Sequence, residues 1–270
     1  MVQMDAAELA SQARRGRFVE VLPQLLDVAR SDADPEQAWQ AAMGAIEILY
    51  WQDGFVEAAE LAERVVRGAP PGSEVNDQGF PFVDAIIDAQ LRGGVPAEPR
   101  LRDLADRLAP DSYLRERLLS AADESAAGSW EAPDRSYDFG APVRPVDDSV
   151  IGGELLSEDF STLNPKQKRV YWQALYETRD FPRADDIFRT LGESPEQFDL
   201  CSWMAGCYAL QGEVTLGEEL LIRAHRDYWP FTIWDTLPTS QVVDPVIGKA
   251  ITARVREYYL TQPVGPEAEA

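Results

Sequence analysis

Three short stretches of this chain repeat one instruction to start a helix: Asp34-Pro35-Glu36-Gln37, Asn164-Pro165-Lys166-Gln167 and Ser194-Pro195-Glu196-Gln197. In each, an Asp, Asn or Ser at the N-cap offers a side-chain oxygen to an unpaired backbone N–H. Proline follows at the first helical position, where its missing N–H costs nothing. Gln, three residues past the cap, can reach back to the cap's own N–H. Asp244-Pro245 repeats the first half of the device and predicts the start of a last helix. Apolar stripes at helical spacing follow the first two starts: Ala38, Ala42, Ala45, Ile46 and Leu49, then Val170, Tyr171, Ala174 and Leu175. No alternating run bounded by Asn-Gly or Asp-Gly signals a strand, and Asp53-Gly54 joins two helical patterns instead. The fold class these signals predict is all-α.

Four further stretches share a turn, then an aromatic residue or Val, then a small residue and an apolar stripe. They are GRFVEV at 16–21, DGFVEA at 53–58, RDFPRA at 179–184 and GEVTLG at 212–217, and each predicts a second helix. A helical hairpin of this length cannot bury its apolar face alone, whereas stacked hairpins can.

Over 165–228 the pattern resembles the tetratricopeptide repeat family, and more faintly over 36–68 and 1–31. One repeat is carried by Trp172, Leu175, Phe181, Ala184, Phe188 and Leu191. The next is carried by Met204, Ala205, Tyr208, Val214, Gly217, Leu221 and Ala224. The resemblance implies an α-solenoid of stacked hairpins, with the first helices lining a partner-binding groove. By position that groove would show Gln40, Met43, Glu47, Tyr50 and Trp51 in the first half. In the second half it would show Lys166, Arg169, Gln173, Tyr176 and Glu177, then Asp199, Ser202, Gly206 and Ala209. Some family members grip a peptide C-terminus with Lys, Arg and Asn. Lys166 and Arg169 resemble part of that set, but Asp199 and Trp203 depart from it, so no such clamp is expected. Gly206 suits either a close ligand backbone or tight packing of two helices. Tyr50 and Trp51 read as core more than as interface.

Composition divides the chain into two helical lobes. Residues 1–127 form the first, with further helical patterns near 80–92, 97–108 and 111–127 and a loop at 70–79. Residues 128–163 are rich in Pro, Gly and acids and read as a linker. Trp130, Tyr137, Phe139, Val143 and Ile151 predict that part of it lies against a neighbouring surface. Residues 164–262 form the second lobe with a terminal capping helix, and 263–270 a disordered tail.

The formal net charge of -22 over 270 residues repels phosphate backbones and favours basic partners. No nucleic acid is expected as a partner. No apolar run is long enough to span a membrane, and the acidic start, without a basic-then-apolar pattern, lacks a secretory signal. These points predict a cytoplasmic protein whose partner is another protein or peptide. Cys201 and Cys207 are six apart and fall on different helix faces, so they read as small buried hydrophobes and not as a disulfide. With one histidine and two thiols no zinc site is expected, and no metal or cofactor is.

Nucleotide-loop, nucleophile-elbow and metalloprotease motifs are absent. Adjacent acids such as Asp185-Asp186 and Glu218-Glu219 point about 100° apart on a helix and do not converge. His225 reads as a structural residue near a helix C-terminus. The leading reading is a non-catalytic interaction module binding a basic or extended partner. The alternatives are an immunity-type protein that neutralises a basic toxin enzyme, and an enzyme or enzyme subunit with a site between the lobes. One stretch, RAHRDYWPFTIWDTLP at 223–238, gathers the histidine, two tryptophans and two prolines. Its aromatic residues are expected to seal the end of the repeat.

Overall fold

Asp34 and Asn164 both cap helices. The Asp34 carboxylate accepts from the N–H groups of Glu36 and Gln37 at 3.1 and 3.2 Å. Asn164 forms the full reciprocal box with Gln167, its side chain accepting at 3.0 Å and its N–H donating at 3.1 Å. The computed structural model describes residues 5–31, 34–68, 80–128, 142–195 and 197–265. The expected loop at 70–79, linker residues 129–141, Glu196 and tail residues 266–270 lie outside the described residues. The described residues are all-helical, and no strand occurs among them.

The chain divides into two compact units, and the division does not follow chain order. The first contains the described residues up to 128, then 229–243 and 259–265; the second contains 142–228 and 244–258. The first begins with α1 (Ala6–Gln12), α2 (Phe18–Ala29), α3 (Pro35–Trp51) and α4 (Phe55–Gly68). It continues with α5 (Phe80–Gly93), α6 (Glu98–Ala105) and α7 (Tyr113–Ala126). The second carries α8 (Pro165–Thr178), α9 (Phe181–Leu191), α10 (Phe198–Leu210) and α11 (Val214–Asp227). The short α12 (Ser240–Val243) belongs to the first unit, and the division falls inside the last helix, α13 (Ala253–Thr261).

In the first unit α3 is the hub. It packs against α1, α2, α4, α5 and α12, and it is buried on nearly every side, which is why its apolar residues form no narrow stripe. From α4 the packing continues to α5 and α6, and α7 packs on both of those. In the second unit α8 packs on α9 and on the 3-10 turn Gly153–Ser157. There α10 pairs with α11, and a 3-10 turn at Ile247–Ala250 covers both. Gly217 permits that covering, because an added methyl group would stand 2.9 Å from Ala250 Cβ and 3.0 Å from Ala205 O.

The four repeated turns share one geometry. Each opens a helix with a left-handed residue two positions before it: Gly16 (φ 84°), Asp53 (61°), Arg179 (56°) and Gly212 (81°). In three of them the next N–H reaches back five residues: Gly54 to Leu49 O, Asp180 to Leu175 O and Glu213 to Tyr208 O, at 2.8, 3.0 and 2.9 Å. This is the bond pattern that closes a helix on a left-handed residue.

Two expected starts are corrected. Ser194 caps nothing: α10 begins at Phe198, with Gln197 before it and no side-chain cap. Pro195 is buried and its carbonyl accepts from the Cys201 thiol, which fixes the preceding chain outside the helix. Asp244 does cap, accepting from the N–H of Val246 and Ile247 at 2.7 and 2.8 Å, but it opens the 3-10 turn and not α13.

Candidate functional site

Pro230 and Pro238 bar a helix from residues 229–238, and the segment is built as a braced loop. Thr232 and Asp235 form a closed turn. Thr232 N and Oγ1 donate to the Asp235 carboxylate at 2.7 and 2.6 Å, and Asp235 N donates back to Thr232 Oγ1 at 3.2 Å. From the kink after α1, the guanidinium of Arg14 donates to the carbonyls of Ile233 and Asp235 at 3.0 and 2.6 Å. The Trp234 ring meets Trp39 of α3 edge-on, centroids 5.4 Å apart.

Below the turn, the loop is fastened to α3. The Glu47 carboxylate accepts from Thr236 N, from Thr236 Oγ1 at 2.9 Å and from Leu237 N at 3.1 Å. Thr236 Oγ1 also lies 3.0 Å from Gly44 O. Gly44 makes this approach feasible, since an added methyl group would stand 3.0 Å from Trp234 O and 3.1 Å from Thr236 Cγ2. Burial and the nearby Asp235 charge push the Glu47 carboxyl up to about 8, against the opposing N–H and O–H bonds.

Three large apolar side chains stand outward on this braced loop. Trp229 is 64% exposed, Phe231 94% and Ile233 62%, and they border a cleft of about 590 Å³. The expectation that the aromatic residues of this stretch seal the end of the second-half repeat is therefore corrected for Trp229, Phe231 and Ile233. Residues 229–243 belong to the first unit, and these three side chains are not packed. Tyr228, just before the loop, is buried against Phe198, and within the loop Asp235 to Pro238 are buried. The signal was the period-two order of Trp229, Phe231 and Ile233 around Pro230.

The residues expected to line a groove separate into two groups. On α3, Gln40 is buried and bonded to Gln37 and Glu36, and Met43 is half-buried. Tyr50 is buried and donates to Asp88 at 2.7 Å, while burial pushes the Asp88 carboxyl up to about 7. Trp51 is fully buried, donates to Pro238 O at 2.9 Å and stacks on Tyr259. Residues 234–238, with α12, therefore cover this face of α3. Glu47 is the member of the set that ties the loop down.

In the second unit, Lys166 and Arg169 are exposed at the start of α8. Gln173 accepts from Gln197 and donates to Glu177, both at 2.7 Å. Tyr176 meets Trp203 edge-on at 5.6 Å, and Arg179 lies over the Trp203 ring at 4.9 Å. Tyr176, Glu177, Arg179 and Trp203 border an open cleft of about 510 Å³ together with residues from 144–150. Asp199 is exposed, whereas Ser202 is buried with its hydroxyl bonded to Phe198 O at 2.8 Å. Gly206 is buried within α10.

The reactive side chains are dispersed. His225 is 1% exposed and edge-on to Tyr258, and burial with the Arg226 charge lowers it to about 4, so it is neutral at pH 7. Cys201 and Cys207 are buried free thiols. Asp185 pairs with Arg189 while Asp186 faces Thr190, so the adjacent acids diverge. Among the described residues no three His, Cys, Asp or Glu side chains are grouped to hold a metal ion. No described helix is long and apolar enough to cross a membrane. Comparisons of the chain with protein-family models, with curated proteins and with solved structures gave no match.

Proposed function

We propose that this chain is a non-catalytic protein-binding module that takes a basic protein partner on the loop carrying Trp229, Phe231 and Ile233. The observation that carries this reading is the exposure of three large apolar side chains on a loop whose backbone is fixed from beneath. Exposed apolar clusters of this kind mark interaction sites. Aromatic anchors dominate binding energy when they dock in a partner's pocket, and a preset loop loses little entropy on docking. The net charge of -22 adds attraction for a basic partner and speeds encounter.

The architecture we read behind this is a tetratricopeptide-like stack in two lobes. What supports it is the recurrence of one turn geometry at Asp53, Arg179 and Gly212, each opening the second helix of a hairpin.

The test is capture of the partner from native extracts, followed by binding measurements with Phe231→Ser and Ile233→Ser. Affinity loss of tenfold or more for each, at unchanged stability, is expected. Binding unaffected by either change overturns the reading. A single stoichiometric basic enzyme, inhibited on binding, would assign the immunity-type role within the same class.

A further inference from the structure

We propose that the open cleft of about 510 Å³ in the second unit binds a small organic carboxylate, with its charge taken by Arg144 and Arg179 and its apolar body resting beside Trp203 and Val150. Small-molecule sites enclose roughly 300–1,000 Å³ and combine apolar walls with a few convergent polar groups. Here the polar groups are two guanidiniums and the Tyr176 hydroxyl. All of the lining residues belong to the second unit, whereas the docking loop belongs to the first.

Hydrogen-bonding capacity is spent on one sign of charge in this cleft and unspent on the other. Both acids are engaged. Asp147 accepts from Ser149 N at 2.8 Å and from the Ser149 hydroxyl. Glu177 accepts from Ile151 N and from Gln173 Nε2, at 2.8 and 2.7 Å. The cations are not engaged in this way. Among the described residues, neither the Arg144 nor the Arg179 side chain has a hydrogen bond or a carboxylate within ion-pair distance. Arg179 lies instead over the Trp203 ring, 4.9 Å from its centroid. That contact attracts the charge and uses none of the five N–H donors. Arg144 is exposed, and its backbone N–H is fixed at the end of α8 by a 2.7 Å bond to Thr178 O. In a chain with 47 acids and 25 basic residues, two guanidiniums left without a carboxylate in one cleft run against the general charge.

Arg179 also stands where glycine would be easier. It takes the left-handed position after α8, at φ 56°, which Gly16 and Gly212 hold in two of the matching turns. Strained positions of this kind gather at ligand sites. The Tyr176 hydroxyl completes the set. It makes no hydrogen bond among the described residues. Burial and the Asp199 charge raise its proton affinity, and the charges of Arg179 and Arg144 both reach it in the opposite sense. It is therefore protonated at neutral pH and free to donate. Two guanidiniums against two carboxylates leave the lining near neutral, so one added negative charge suits it better than two. The planar fork of arginine matches a carboxylate, while the net charge of -22 disfavours a phosphate dianion.

Titration of the full chain with benzoate tests the site, read by nitrogen-15 NMR at the Trp203 indole and the Arg179 guanidinium. Saturable shifts at both are expected, and none with benzamide, which keeps the shape and lacks the charge. Arg179→Gly removes the guanidinium and eases the left-handed turn, so the variant folds while benzoate affinity falls tenfold or more. Arg144→Gln changes an exposed side chain and is expected to weaken binding by a similar factor. No saturable shift up to about 10 mM benzoate overturns the site. So does an equal response to benzamide, or full affinity in both variants. Phenyl phosphate binding more tightly than benzoate overturns the choice of a carboxylate.

Discussion

Trp51, the last residue of α3, lies flat on Tyr259, with ring centroids 4.0 Å apart and planes 11° from parallel. The same indole donates its N–H to Pro238 O at 2.9 Å. One side chain thus ties α3 to two stretches from the far end of the chain. Trp51→Ala is expected to cost about 3–5 kcal/mol, the range for deleting a buried aromatic. Tyr259→Ala removes part of the same stack. A double-mutant cycle in denaturant is expected to give a coupling of about 0.5–1.5 kcal/mol. A coupling of zero would mean the two rings stabilise the first unit independently.

The left-handed turns give a second prediction. Gly212→Ala has open space around the new methyl group, so only backbone strain opposes it, about 1–2 kcal/mol. Gly16→Ala adds a collision, because its methyl group would stand 2.6 Å from Thr261 O. Denaturant unfolding should therefore rank Gly16→Ala as clearly more damaging than Gly212→Ala. The converse change, Asp53→Gly, relieves the strain of a non-glycine residue at φ 61°. It also makes the unfolded chain more flexible. Its net effect is expected within about 0.5 kcal/mol of zero.

Stability should depend on pH with a predictable sign. Glu47 is raised from 4.5 to about 8 and Asp88 from 3.8 to about 7, so the folded protein holds these protons longer than the unfolded chain does. Their contribution is intact below about pH 4 and is lost progressively as pH rises to 8. His225 is lowered from 6.5 to about 4, so the folded protein resists its protonation, and stability is lost as pH falls through that window. Between pH 6.5 and 8 only the carboxyl terms act, and unfolding free energy should decline with rising pH. In Glu47→Gln the decline should be shallower. Unfolding in urea at pH 6.5, 7.25 and 8 checks both slopes.

The apolar loop gives a prediction about what does not change. Phe231→Ser and Ile233→Ser remove exposed side chains, so their effect on unfolding free energy should stay within about 0.5 kcal/mol. A larger loss would mean that these side chains pack in solution.

What the sequence revealed was local. Asp34 and Asn164 announce their helices because cap, proline and stripe lie within one turn of each other. The second helices of the hairpins were legible for the same reason. Ser194 misled because its proline carbonyl is claimed by Cys201, a contact that residue spacing does not encode. Tyr50 and Trp51 were readable as core from their size. The partners of Glu47 were not, because they stand 189 and 190 residues away and nothing near either end marks the pairing. The Trp229 stretch was noticed for its density of aromatic residues, yet its placement depends on Arg14, Trp39 and Glu47, all in the first 47 positions.

The distance between Glu47 and Thr236 also sets an order of events during synthesis. On a ribosome adding about 5–20 residues each second, α3 is made roughly 10–40 s before the strap that covers it. For that interval Trp39, Gly44, Glu47 and Trp51 have no strap, and the new chain carries an uncovered apolar helix. The cell must either shelter it or complete the chain quickly. Ribosome pausing between codons 51 and 236 should therefore raise aggregation of this protein more than pausing after codon 265.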